Sequence, residues 1–364
     1  MSAHILVVEP EYALQAALSS WLEWEGYDCA CASDPEEALA IAEHDRADVA
    51  LVSDHPTAWN ASGLAGELKA RHEDLAIILL CNAGGRRSRR IRRSRDVLDE
   101  IPAPITRGAV RHAVTRAVQW REAAAADREA CLAHEDVMLR HASELRNALR
   151  VSVEAALADP RDVVAGAIAG ASGGIMLRAS SPVGDLMEKR TPGAVTHAMR
   201  VTEMSRLLGG ALKLPARAMA ALERAAFLHD LGRAALPEQL LQKPTPLSDL
   251  EIGLLRRHPQ IAAEILADVP SLEEAAPLVL STQERFDGTG YPHGLAALEI
   301  PMGARIITLA DAFDRLTVGH PLGARLSLAE ACAELVRGAG TQFDPDLVRI
   351  WLRVADGVHG PFPQ

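Results

Sequence analysis

From Arg107 to about Leu157 the chain has no proline and very little glycine, so nothing in that span interrupts a helix. Asp159-Pro160 stops it. The 364 residues exceed one ordinary core, and this helix parts them into a front segment, 1–106, a helical linker, 107–160, and a rear segment, 161–364. Within the linker, Met138, Ala142, Leu145, Leu149, Ser152 and Ala156 alternate at spacings of four and three. That is the spacing of a coiled-coil seam and predicts a homodimer along the helix. The competing reading is a helix packed on its own domain. Val163–Pro192, rich in Gly, Ala and Ser, reads as a helix followed by a loose crossover.

Apolar residues make up 48% of the chain but aromatics only 4%, so its cores must be built from Ala, Leu, Val and Ile. The formal charge of −11 argues against general polyanion binding, and no DNA partner is expected. The arginine run 86–95 is a local exception. It reads as a solvated segment, or as a site for an anion or an acidic partner. The five cysteines are odd in number and scattered, which fits reduced thiols in a cytoplasm. No signal peptide is recognisable and no apolar run approaches the ~18 residues of a membrane span, so a cytoplasmic protein without a membrane partner is expected.

In the front segment, apolar runs at Ile5–Val8, Val49–Val52 and Ile77–Leu80 have the length of buried strands. Tyr27–Ala32 is also strand-like, and helical patterns occupy Ala13–Trp24 and the stretch from Asp34-Pro35 to Glu43. Strands alternating with helices predict a doubly wound parallel sheet. The opening Ile-Leu-Val-Val-Glu-Pro-Glu resembles a response-regulator receiver domain, which implies a flavodoxin-like α/β fold. The resemblance implies an acidic pair, a phosphoacceptor Asp, a Thr or Ser, and a Lys. Here these positions read Glu9 and Pro10, Ser53 (with Asp54 next), Cys81 and Ala103. Too few acids remain for magnesium, so a receiver fold without phosphorylation is expected.

The rear segment carries an ordered series of motifs. His197 comes first, then His229-Asp230-Leu231-Gly232-Arg233, Lys243-Pro244 and His258-Pro259. Glu284 through Pro292 (ERFDGTGYP), Asp311-Ala312-Phe313-Asp314 and Gly340–Pro345 follow. Over about residues 190–350 this series resembles the HD-GYP domain of the cyclic-di-GMP phosphodiesterases. The resemblance implies an all-α HD-superfamily fold and a metal-dependent phosphodiesterase giving pGpG and GMP. It implies metal ligands at His197, His229, Asp230 and Asp311, with His258 toward a second ion. Asp230 and Arg233 take the catalytic positions, Arg233 replacing a phosphate-touching Lys. Asp287, Gly288, Gly290, Tyr291 and Pro292 form the nucleotide or partner loop, a docking place for cyclic di-GMP or a GGDEF-type protein.

The departures weigh on function. Thr282-Gln283 stands where the family has two histidines for the second ion. Gly193 replaces an acid used by three-metal members, and His320 and Gly323 replace an Arg and a Lys that grip nucleotide. Imidazole and carboxylate donors suit iron, manganese or zinc. One such ion is therefore expected, and a second is badly weakened. Asp314 reads as a hydrogen-bond partner rather than a ligand. Two functions stay open: a signalling protein with hydrolysis lost or weak that acts by binding nucleotide or a protein, and an active cyclic-di-GMP phosphodiesterase.

Overall fold

A computed structural model of the chain describes residues 3–44, 46–54, 60–81, 96–158, 181–318 and 325–357. The arginine run 86–95, residues 161–180 of the crossover, His320 and Gly323 lie outside them. The chain forms two units, Met1–Ala130 and Cys131–Gln364. Their boundary falls inside the long helix rather than at either end of it.

The front unit runs β1 (His4–Val8), α1 (Tyr12–Trp24), β2 (Asp28–Ala32), α2 (Pro35–His44), β3 (Val49–Asp54), α3 (Ala61–Arg71), β4 (Ala76–Cys81), β5 (Asp99–Pro102) and the start of α4 (Arg107–Ala158). All strand pairs are parallel, in the order β2-β1-β3-β4-β5. This is the flavodoxin-like order expected of a receiver. Alternate residues of the central strands feed two cores. Ile5, Val7 and Leu51 pack with Leu18 of α1 and Val110 and Val114 of α4. Leu6, Val8 and Val52 pack with α2 and α3 through Ala38, Leu64 and Leu68. Burial on both faces explains why these strands are continuous apolar runs.

β3 extends past the apolar run to Asp54, which pairs with Cys81, while Ser53 pairs with Leu80. Ser53 is fully buried, and its hydroxyl donates to Glu9 Oε2. Glu9 is buried too, its Oε1 accepting the Glu11 N–H at 2.9 Å.

The rear unit is helical: the remainder of α4, α5 (Pro182–Arg190), α6 (Ala194–Ala211), α7 (Ala216–Leu228), a 3-10 turn at Leu231–Ala235, α8 (Glu238–Leu241), α9 (Asp249–Leu255), α10 (His258–Ala267), α11 (Ala276–Leu280), α12 (Met302–Val318), α13 (Leu328–Arg337) and α14 (Pro345–Gly357). The seam expected on α4 faces inward. Met138, Leu145 and Leu149 are buried in the rear unit's own core, and Ser152 Oγ accepts the Val183 N–H at 3.0 Å. The four-three spacing records a helix packed on its domain, so these side chains do not form an open dimer seam. Phe313 of α12 meets Trp351 of α14 edge-on at 4.8 Å between centroids. Arg305 and Asp344 form a buried ion pair at 2.5 Å that ties the start of α12 to the start of α14. Removing one partner of such a pair costs about 3–5 kcal/mol, because the other charge stays buried. Among the described residues no helix is long and apolar enough to cross a membrane.

Candidate metal centre

Three elements converge here: they gather His197, His229 and Asp230 into one cluster and set Asp311 beside the two histidines. His197 lies on α6, His229 and Asp230 follow the end of α7, and Asp311 lies on α12. His197 Nε2 is 3.3 Å from His229 Nε2 and 3.1 Å from Asp311 Oδ1. His229 Nε2 is 3.8 Å from both Asp230 Oδ2 and Asp311 Oδ1.

Each imidazole is oriented from behind. His229 Nδ1 donates to the Ala226 carbonyl at 2.7 Å, and His197 Nδ1 donates to Asp314 Oδ2 at 2.7 Å. Both Nε2 atoms are thereby turned toward the carboxylates. Asp314 is gripped in turn by Arg200, Nε to Oδ1 at 2.5 Å and Nη2 to Oδ2 at 2.9 Å.

The turn after α7 is set by a backbone contact. A Cβ on Gly232 would lie 1.9 Å from the His258 carbonyl oxygen, so only glycine lets the His-Asp turn meet α10. Arg233 sits in that turn with Nε 3.6 Å from Asp230 Oδ2.

The donors fit a cation. Two imidazole nitrogens and two carboxylate oxygens form a set suited to iron, manganese or zinc. Asp230 Oδ1 is buried with no hydrogen-bond partner among the described residues, as a coordinating atom awaiting an ion would be. Burial opposes charge on His197, but hydrogen bonds to Asp311 and Asp314 outweigh it and push its pKa up to about 9. Burial likewise opposes charge on Asp230, yet His229, Arg233 and Arg315 pull it down to about 2. Burial opposes charge on Asp311 too, but His197, His229 and Arg315 hold it well below the usual carboxylate range.

His258 stands apart from this group. Its Nδ1 donates to the Leu255 carbonyl at 2.9 Å, and its buried Nε2 has no partner among the described residues. Burial lowers its pKa, favouring the neutral ring. The two residues in the missing-histidine positions are engaged elsewhere. Thr282 Oγ donates to the Val279 carbonyl at 2.9 Å, and Gln283 Oε1 accepts from the Tyr291 hydroxyl at 3.3 Å. Near Gly193, the Glu188 carboxylate accepts the Gly193 and Val195 N–H groups.

The loop residues form a scaffold beside the donors. Glu284 is buried and accepts the His293 and Leu295 N–H groups at 2.7 and 3.1 Å. A Cβ on Gly290 would lie 2.4 Å from the Arg285 nitrogen. Gly288 takes φ +78°, and a cis peptide precedes Pro292. Asp287 pairs with Thr289 and Arg285, which hold its carboxyl at about 2. Tyr291 presents its ring to Arg256, 5.4 Å away, and to His258, 6.4 Å between centroids.

Arg200 and Arg315 were not singled out from sequence. Arg315 donates from Nε to Asp311 Oδ1 at 2.7 Å and reaches Asp230 Oδ2 at 3.4 Å. Its position four residues after Asp311, one turn along the helix, was the available signal.

Residues 183–347 match the family model described as HD domain. The chain is 28% identical over 324 residues to the Cyclic di-GMP phosphodiesterase response regulator RpfG of Xanthomonas campestris, covering 88% of this chain and 79% of that protein. It is 23% identical over 363 residues to a Cyclic di-GMP phosphodiesterase of Thermotoga maritima, covering 96% and 90%. A Pseudomonas aeruginosa relative, Cyclic di-GMP phosphodiesterase PA4108, is 35% identical over 158 residues, 43% of this chain and 38% of that protein.

The rear unit, with its His-Asp turn and converging donors, is thus an HD domain. With a receiver-like sheet domain in front of it and the GYP loop beside the donors, the chain is built like a response regulator with an HD-GYP domain.

Proposed function

We propose that the chain is a cyclic-di-GMP signalling protein whose HD site takes one divalent transition metal, binds the nucleotide, and hydrolyses it slowly or not at all. The observation that carries this reading is the fate of the two missing histidines. Thr282 Oγ is engaged by Val279 and Gln283 Oε1 by Tyr291, so among the described residues a second ion is left with His258 and a shared Asp230. Iron, manganese or zinc bound by His197, His229, Asp230 and Asp311 would polarise a phosphoryl oxygen and lower the pKa of a bound water. Asp314 and Arg200 orient His197, Asp230 keeps its charge for coordination, and Arg233 offers a guanidinium to a phosphate. Without a second ion the in-line displacement lacks one of its two clamps.

An active phosphodiesterase is the second reading, favoured by the clustered His197, His229 and Asp230 with Asp311 beside them, and by the names of the relatives. Elemental analysis beside a timed assay for pGpG and GMP separates the two, with Asp230→Ala as control. One metal per chain with nucleotide binding and little product supports the proposal. Two metals with rapid, Asp230-dependent turnover would establish the enzyme instead.

A further inference from the structure

The carboxylates of the metal centre already hold a cation. Arg315 stands one turn beyond Asp311 on α12 and folds its guanidinium back over both acids. Nε donates to Asp311 Oδ1, the oxygen that His197 Nε2 faces at 3.1 Å. Nη2 lies 3.4 Å from Asp230 Oδ2, the oxygen that His229 Nε2 faces at 3.8 Å. An ion drawing on those oxygens meets a positive group seated beside them.

With His197 and His229 neutral, as ligands of a metal must be, the formal charges of the other groups balance. Asp230, Asp311 and Asp314 carry three negative charges, and Arg200, Arg233 and Arg315 carry three positive ones. Arg200 is committed to Asp314 by two hydrogen bonds. Arg233 stays 3.6 Å from Asp230, so Arg315 is the group in closest contact with the Asp230–Asp311 pair. Adding one divalent ion gives the cluster a charge of +2, the complement of the two phosphodiesters of a cyclic dinucleotide. Two ions would give +4 against a guanidinium that cannot lose its proton.

Burial opposes the charge of Arg315, but Asp311 and Asp230 more than restore it. About a third of its side chain remains exposed, enough for the outer edge of the fork to meet a ligand. Guanidinium matches the planar, two-oxygen edge of a phosphodiester.

We propose that Arg315 is a tethered cation in the role of a second metal, competing with free ions for the Asp230–Asp311 oxygens and presenting its outer edge to a phosphodiester. This rests on the one-metal, nucleotide-binding reading above. The rival arrangement is a second ion on His258 Nε2 and Asp230 Oδ1, both buried and without partners among the described residues.

The test uses the full chain stripped with EDTA and titrated with Mn²⁺ by calorimetry, as wild type, Arg315→Ala, Arg315→Gln and Arg315→Lys. The glutamine variant keeps most of the side-chain bulk should the alanine variant fold poorly. Wild type and the lysine variant should bind one Mn²⁺ with similar affinity. Alanine and glutamine variants should bind Mn²⁺ about ten- to a hundredfold more tightly, the range of a charged hydrogen bond removed from competition. Their affinity for cyclic di-GMP should fall by about tenfold or more. Mn²⁺ affinity unchanged in both variants would overturn the proposal, as would two Mn²⁺ in wild type. Nucleotide affinity unchanged in both would refute the phosphate contact. If no protein in the series binds Mn²⁺, the one-metal reading falls by itself. Cyclic-di-GMP affinity in the metal-free chains then decides on Arg315, equal binding counting against it.

Discussion

His197 Nδ1 donates to Asp314 Oδ2 across 2.7 Å, joining residues 117 positions apart in the chain. The bond fixes which ring nitrogen faces the other donors, although Asp314 contributes nothing to the donor set itself. Asp314→Ala should therefore weaken metal binding about ten- to a hundredfold, the usual cost of losing the group behind a ligand histidine. Competition with a chelator measures it. An unchanged dissociation constant would assign Asp314 to packing alone.

The pH response follows from His197. Its pKa in the metal-free fold is about 9, against ~6.5 when unfolded. The charged ring thus stabilises the metal-free domain, fully below ~6.5 and no longer once pH has risen through 9. Melting temperatures in EDTA should fall across that window, and His197→Gln should flatten the fall. Metal must displace the same proton, so Mn²⁺ affinity should climb by about a factor of ten per pH unit over the window and then level off. The two trends run in opposite directions, and a parallel change would exclude His197 as their common source.

Leu145 and Leu149 lie fully buried in the rear unit's core. Leu145→Ala should cost about 2–5 kcal/mol in urea unfolding. Charged residues at both positions should unfold the domain. A well-folded double variant of halved mass in solution would return these side chains to a dimer seam.

The front unit should not take up phosphate. Ser53 is fully buried with its hydroxyl given to Glu9, and Asp54 follows it on the strand. Incubation with acetyl phosphate should leave the intact mass unchanged. A stoichiometric adduct on Asp54 would show that the strand end opens.

Putting histidines back at 282 and 283 should not by itself create a second metal site, because Arg315 still covers the carboxylates. Elemental analysis should find one ion in Thr282→His/Gln283→His and two when Arg315→Ala is added. Two ions in the double variant would mean that the guanidinium offers no resistance.

Much of this was legible in the sequence. Uninterrupted apolar runs predicted the parallel sheet because both of its faces are covered. The motif order marked His197, His229, Asp230 and Asp311 as one group, and the fold brings α6, the turn after α7 and α12 close to one another. The α4 seam was misread for a physical reason: a four-three apolar stripe is the same whether it meets a second chain or its own domain. Arg315 was missed because a lone arginine after an acidic motif resembles a solvated surface residue. Only the three-dimensional proximity of Asp230 gives it a partner from another segment. Thr282 and Gln283 were identified as replacements, but the sequence could not reveal which groups engage them.

The contact at Gly232 limits how this domain can change over time. With the His258 carbonyl 1.9 Å from where a side chain would begin, the position is closed to every other amino acid unless the backbone gives way. Residues 282, 283 and 315 face no such barrier in backbone alone. A lineage carrying this domain can therefore exchange its chemistry piece by piece at those positions while the junction at Gly232 stays the same. The glycine is the part of the design that descent must copy, and the ligands around it are the part that descent can edit.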